Sequence, residues 1–123
     1  ERTVDFAIES QLEIANFNAL TPTPGSALYD RLRDEGRLLS PQWWLDPGYR
    51  YGDAIFEPRG MSAAQLAEGV FAARERFYSW ASIGRRVLSS DVPFSPFRIG
   101  LTAIANTISR REIYRKQHRL LGA

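Results

Sequence analysis

The stretch that most limits how this chain can fold is residues 15–39, A-N-F-N-A-L-T-P-T-P-G-S-A-L-Y-D-R-L-R-D-E-G-R-L-L. It opens as an apolar run of strand length, breaks at Pro22, Pro24 and Gly25, and resumes with a helical spacing that stops at Gly36. This predicts one strand–turn–helix unit. In parallel α/β sheets that unit is the repeating half, and ligands bind at the carboxyl ends of the strands. The turn Leu20-Thr21-Pro22-Thr23-Pro24-Gly25 is therefore where a ligand is expected.

Ahead of it, Val4, Ala7, Ile8, Leu12 and Ala15 fall on one helical stripe, with Asp5, Glu9 and Glu13 on another face. Residues 3–15 thus read as an amphipathic helix. Residues 16–20 then alternate as a strand, in which a buried Asn18 needs hydrogen-bond partners or costs about 1–3 kcal/mol. The turn itself has a reading without any ligand. Thr23 caps a helix whose first position is Pro24, and Gly36 takes the left-handed position just past its end.

Residues 38–60 carry Trp43, Trp44, Tyr49, Tyr51 and Phe56 among prolines and glycines, with no helical period; residues 53–57 alone could make a short strand. Rings gathered in an irregular segment pack over a neighbouring surface, either as a structural connector or as a lid facing a substrate. Asp46, Asp53 and Glu57, with no histidine near them in sequence, read as turn formers and surface charges. Ser62 with Gln65 is a capping box, and Leu66, Val70, Ala73, Phe77 and Trp80 follow at helical steps. Gly84 is a candidate stop for that helix, or Ser82 a candidate cap for a second, short helix holding Ile83, Val87 and Leu88. Ser95 and Pro96 start a last helix, whose inner stripe is expected to be Leu101, Ile104, Ala105 and Ile108.

Several of these runs carry a resemblance. L-T-P-T-P-G-S-A-L-Y-D-R-L-R-D-E-G-R-L-L, then Trp43 and Trp44, then F-E-P-R-G-M-S and R-F-Y-S-W-A-S-I, stand in the order found in the C-terminal part of cobalamin-binding-domain radical SAM proteins. The chain resembles that family over residues 17–86, and more weakly from Val87 onward. The resemblance implies three parts. Residues 1–39 would be the end of a partial (β/α) barrel, with its last helix, last strand and a helix; residues 40–60 an aromatic connector; residues 61–123 a helical region of about three helices. The fold class expected is accordingly mostly α, with a barrel remnant. Leu20, Thr21 and Pro22 would form a wall facing SAM at the barrel mouth of the parent protein. The parent would use a [4Fe–4S] cluster, SAM and, in this group, cobalamin, and its upstream radical SAM and cobalamin-binding domains would be this segment's partners. Its expected role is to close the barrel mouth and shape the substrate pocket, without catalytic or metal-binding residues of its own.

Composition bears on that reading at two points. The chain has no cysteine, and clusters of this kind are held by thiolates, so the radical-generating step would be encoded elsewhere. The opening Glu1-Arg2-Thr3 has no initiator methionine and starts within a helical pattern, as expected of a piece of a longer, cytoplasmic enzyme. A strand cut from its barrel would self-associate through residues 3–20, or abandon the strand conformation and pack on the helical part. The last stretch bears Arg110, Arg111, Arg115, Lys116 and Arg119 against Glu112. It reads first as a solvated helix face, next as contact with an anionic membrane surface, and last as a nucleic-acid contact. His118 reads as a solvated surface residue. The alternative function, from a different class, is a helical docking module for a partner protein or an anionic membrane.

Overall fold

The computed structural model describes residues 2–88 and 95–117. The described residues form five α-helices: α1 (Arg2–Glu9), α2 (Ala27–Asp34), α3 (Ala63–Phe77), α4 (Trp80–Leu88) and α5 (Pro96–Lys116), with a 3-10 turn at Trp43–Leu45. The mostly helical expectation holds. The chain divides into two compact units, Glu1–Phe17 with Phe71–Arg115, and Asn18–Val70 with Lys116–Ala123. His118 lies outside the described residues, as do residues 92–94 of the proline-punctuated connector.

The first unit is built on Val4, Ala7, Ile8, Phe77, Tyr78 and Ile113, with Ala15, Phe17, Phe71 and Ala73 packed against them. Phe77 is fully buried, edge-on to Phe17 at 5.5 Å and to Tyr78 at 5.0 Å. Burial of a ring of that size contributes about 2–3 kcal/mol, and edge-to-face pairs add to it.

α1 ends sooner than its apolar stripe predicts. The N–H of Leu12 donates to the carbonyl of Ala7 and that of Gln11 to Ile8, around a left-handed Gln11 with φ of 54°. This pair of bonds is a Schellman turn, made here without glycine. Residues 12–17 then have no helical or strand ladder, and side chains from α3, α4 and α5 satisfy the backbone instead. Arg86 Nη1 donates to the carbonyls of Leu12 and Glu13 at 2.8 and 2.9 Å, and Asn106 Nδ2 to that of Glu13 at 3.1 Å. The Tyr78 hydroxyl accepts from the N–H of Ala15 and donates to its carbonyl. Arg74 Nε donates to the carbonyl of Phe17 at 2.7 Å.

The barrel remnant is the part of the expected fold that does not appear. Residues 16–20 are irregular, and Asn18 is exposed rather than buried in a strand. A strand needs a neighbour to pair with. Here the Phe17 carbonyl goes to a guanidinium and its ring to Phe77, so Phe17 packs as loop on the helices of the first unit.

In the second unit, α2 starts at Ser26, whose Oγ accepts from the N–H of Tyr29 and donates to the carbonyl of Thr23. Ser26, not Thr23, is the cap, because residues 24 and 25 still belong to the turn. The helix closes as expected on Gly36 with φ of 66°, where the N–H of Arg37 reaches the carbonyl of Leu32 and that of Gly36 reaches Arg33. Leu38 and Phe56 form an isolated antiparallel bridge, flanked by Leu39 N–H to Ile55 carbonyl and Glu57 N–H to Arg37 carbonyl, both 2.9 Å. That bridge is what remains of the short strand expected at residues 53–57. Ile55 and Phe56 are buried, as are Tyr29 and Leu32 of α2.

Other helix starts follow the sequence closely. The Ser62 N–H donates to Gln65 Oε1, and the Gln65 N–H to Ser62 Oγ, a complete capping box for α3. Ser95 takes the N–H of Ile99 on its carbonyl at the start of α5, with Pro96 at the first position. α4 is the exception. Ser79 caps it, Ser82 is buried within it, and Gly84 passes through its middle.

Candidate functional site

The residues expected to face a cofactor lie in the second unit, on the irregular run before α2. Leu20 and Thr21 are exposed, and Pro22 is fully buried. The proline side chain therefore has no surface to offer a ligand. It fixes the backbone from within, while Leu20, 61% exposed, presents an apolar face outward.

The same unit holds the aromatic segment. Trp43 meets Trp44 edge-on at 5.8 Å and Tyr49 at 5.3 Å, and Trp44 reaches Tyr29 at 6.4 Å. Tyr29 donates its hydroxyl proton to the carbonyl of Pro41 at 2.6 Å, which ties α2 to the start of this segment. Asp46 Oδ1 accepts from the N–H of Gly48, and Asp53 Oδ2 from that of Arg50, so both carboxylates make turns. Burial, with Asp53 beside it, pushes the Tyr49 phenol above its ordinary pKa. The indole N–H of Trp43 is buried with no acceptor among the described residues, while Trp44 is 44% exposed. The exposed ring of Trp44 is suited to stacking on a flat, apolar ligand; it supplies no acid, base or nucleophile.

In the first unit, Gln11, Glu13, Arg86, Val87, Arg98, Ile99 and Thr102 line a cleft whose interior leaves about 10 Å³. That is room for one water molecule. Arg98 pairs with Glu13 at 3.2 Å. The Nε atoms of Arg86 and Arg98 are buried without an acceptor among the described residues. Arg86 also donates Nη2 to the carbonyl of Phe77 at 2.9 Å and to Asn106 Oδ1 at 3.0 Å, and burial holds its guanidinium below the ordinary arginine pKa. This cleft is a brace for residues 12–17 rather than a place for a substrate.

Sequence reasoning missed the buried Arg74 and Arg86 altogether. Arg86 sits three residues after Ile83 on the apolar side of α4, a position where a charged residue is itself the signal. Asn106 gives no comparable signal.

No family model and no solved structure matches the chain. Over 87 residues, 71% of this chain, it is 26% identical to the bacteriochlorophyllide d C-12(1)-methyltransferase of Chlorobaculum tepidum. The matched stretch spans 18% of the length of that relative.

Proposed function

We propose that this chain is the C-terminal segment of a radical SAM enzyme of the cobalamin-dependent, methyl-transferring kind, and that it closes the barrel mouth and shapes the substrate pocket. The observation that carries the reading is the 87-residue similarity to a methyltransferase, which agrees with the ordered motifs between Leu20 and Ile83. A [4Fe–4S] cluster does not fit this chain, which has no thiolate to hold it. No chemical step is therefore assigned to these residues.

Their part is to bind and to exclude water. Exposed Leu20 and Thr21 fit the apolar wall expected beside SAM, with buried Pro22 bracing them. The exposed face of Trp44 fits contact with a substrate. The relative's name points to a bacteriochlorophyllide as its own substrate, and a flat apolar compound of that class suits these rings.

Reading the gene through the codons ahead of Glu1 tests this, followed by anaerobic expression of the whole product. A C-x-x-x-C-x-x-C run upstream and the visible absorption of a [4Fe–4S] cluster are expected. A natural reading frame with no thiol-bearing portion ahead of these residues would overturn the proposal.

A further inference from the structure

α5 is mounted with its apolar stripe outward. Phe97, Leu101, Ile104 and Ile108, three of them expected inside, are 81, 58, 60 and 56% exposed, while Asn106 and Ile113 are buried. The reason is the Asn106 amide, which donates to the carbonyls of Glu13 and Thr102 and accepts from Arg86. Satisfying that buried polar network fixes the helix rotation, and the aliphatic row is turned to solvent. Single exposed apolar residues are ordinary, but a contiguous row marks a contact surface.

The row does not stop at Ile108. Counting by four and three, Phe97, Leu101, Ile104, Ile108, Arg111 and Arg115 form one line along the helix. Four apolar positions span about 17 Å, and the last two are exposed arginines. α5 as a whole carries Arg98, Arg110, Arg111, Arg115 and Lys116 against Glu112 alone, whose carboxylate pairs with the exposed Arg115.

We infer that this outward line of α5 docks on an anionic lipid bilayer. Phe97, Leu101, Ile104 and Ile108 enter the boundary between headgroups and acyl chains, and Arg111 and Arg115 reach the headgroup phosphates. The charge complementarity argues for this occupant. Arginines continuing an apolar row can snorkel to phosphates at the interface, whereas the same row of a second copy offers them no carboxylate in either orientation. A strip one helix wide and about 17 Å long is also short of the ~800 Å² a side found in stable dimers, but it is ample for interfacial binding. The inference stands apart from the methyltransferase reading, since it uses only residues of α5.

The test is flotation of the 123-residue chain with vesicles of phosphatidylcholine, with and without phosphatidylglycerol. Binding is expected only with phosphatidylglycerol, weakened about fivefold by each of Arg111→Gln and Arg115→Gln, and weakened about tenfold or more by Leu101→Ser with Ile108→Ser. Circular dichroism should report the same helix content in every variant, because the altered side chains are exposed. No flotation, equal flotation on both vesicle types, or a Leu101→Ser/Ile108→Ser variant that binds like the parent chain would overturn the inference. So would a concentration-dependent dimer, seen by sedimentation and lost in that double variant without any flotation, which would give the face to a second copy.

Discussion

The guanidinium of Arg86 lies 3.8 Å above the centre of the Phe77 ring while donating to the Phe77 carbonyl. One side chain thus covers the core ring and supplies the backbone at the end of α3. With its bonds to Leu12, Glu13 and Asn106 it joins four segments of the first unit, without a carboxylate partner among the described residues. The usual accounting of a buried ion pair does not apply. What holds the charge is carbonyl dipoles and a π-face, each arranged by the fold.

Arg86→Met should therefore destabilise the protein by about 3 kcal/mol or more, since it strands several buried carbonyls at about 1–3 kcal/mol each. Arg86→Lys should recover less than half of the loss, because an ammonium cannot reproduce the planar fork. Urea denaturation midpoints of the three proteins check both statements. A Met variant as stable as the parent would show that water replaces the guanidinium at no cost.

Tyr78→Phe keeps the ring against Phe77 and removes the hydroxyl that serves both backbone groups of Ala15. The expected loss is about 1–2 kcal/mol. It should come with faster hydrogen exchange at the Ala15 amide, measured by NMR, while exchange in α2 stays unchanged.

Gln11 holds a backbone conformation in which glycine is at ease, at φ of 54°. Gln11→Gly should raise stability by about 0.5–1 kcal/mol, the strain relieved being only partly offset by added freedom of the unfolded chain. A higher melting temperature by calorimetry is the expected result.

Glu35 accepts from Arg37 at 2.8 Å and from Arg59 at 3.1 Å, and the Arg37 hydrogen bond, followed by the charge of Arg59, holds its carboxyl below the ordinary pKa. A carboxyl depressed in the folded state stabilises above its unfolded pKa, and that contribution fades as pH falls through the folded value. Solvent screens this pair, so the effect is small. Glu35→Gln should melt slightly below the parent at neutral pH, and the gap should close on acidification past the carboxylate range. A gap that widened in acid would reverse the sign argued here.

Where local chemistry decides, the fold is legible in the sequence. Ser62 with Gln65, Ser95 with Pro96, and Gly36 each marked a helix end where the structure has one. These signals need only a few neighbouring residues. The stretch 12–20 was misread because its pattern is that of a helix running into a strand, and only side chains more than fifty positions away cancel it. The facing of α5 was misread for the same reason. Its aliphatic period is strong, but one buried amide at Asn106 outweighs it, and nothing near Asn106 announces that. For the candidate site, the spacing marked the turn from Leu20 to Gly25 and the resemblance narrowed it to Leu20, Thr21 and Pro22, neither distinguishing the buried proline from its exposed neighbours.

The bond from Asn106 to Glu13 joins positions 93 residues apart. A chain made from its amino end emerges with α1 and the following strap complete, yet the amide and guanidinium that will hold them are still untranslated. Until α5 leaves the ribosome, the core of Val4, Ala7, Ile8, Phe77 and Tyr78 lacks Ile113. Chains stalled or cut before Asn106 should for that reason be clients of chaperones and proteases, and closure of the first unit should come after translation rather than during it.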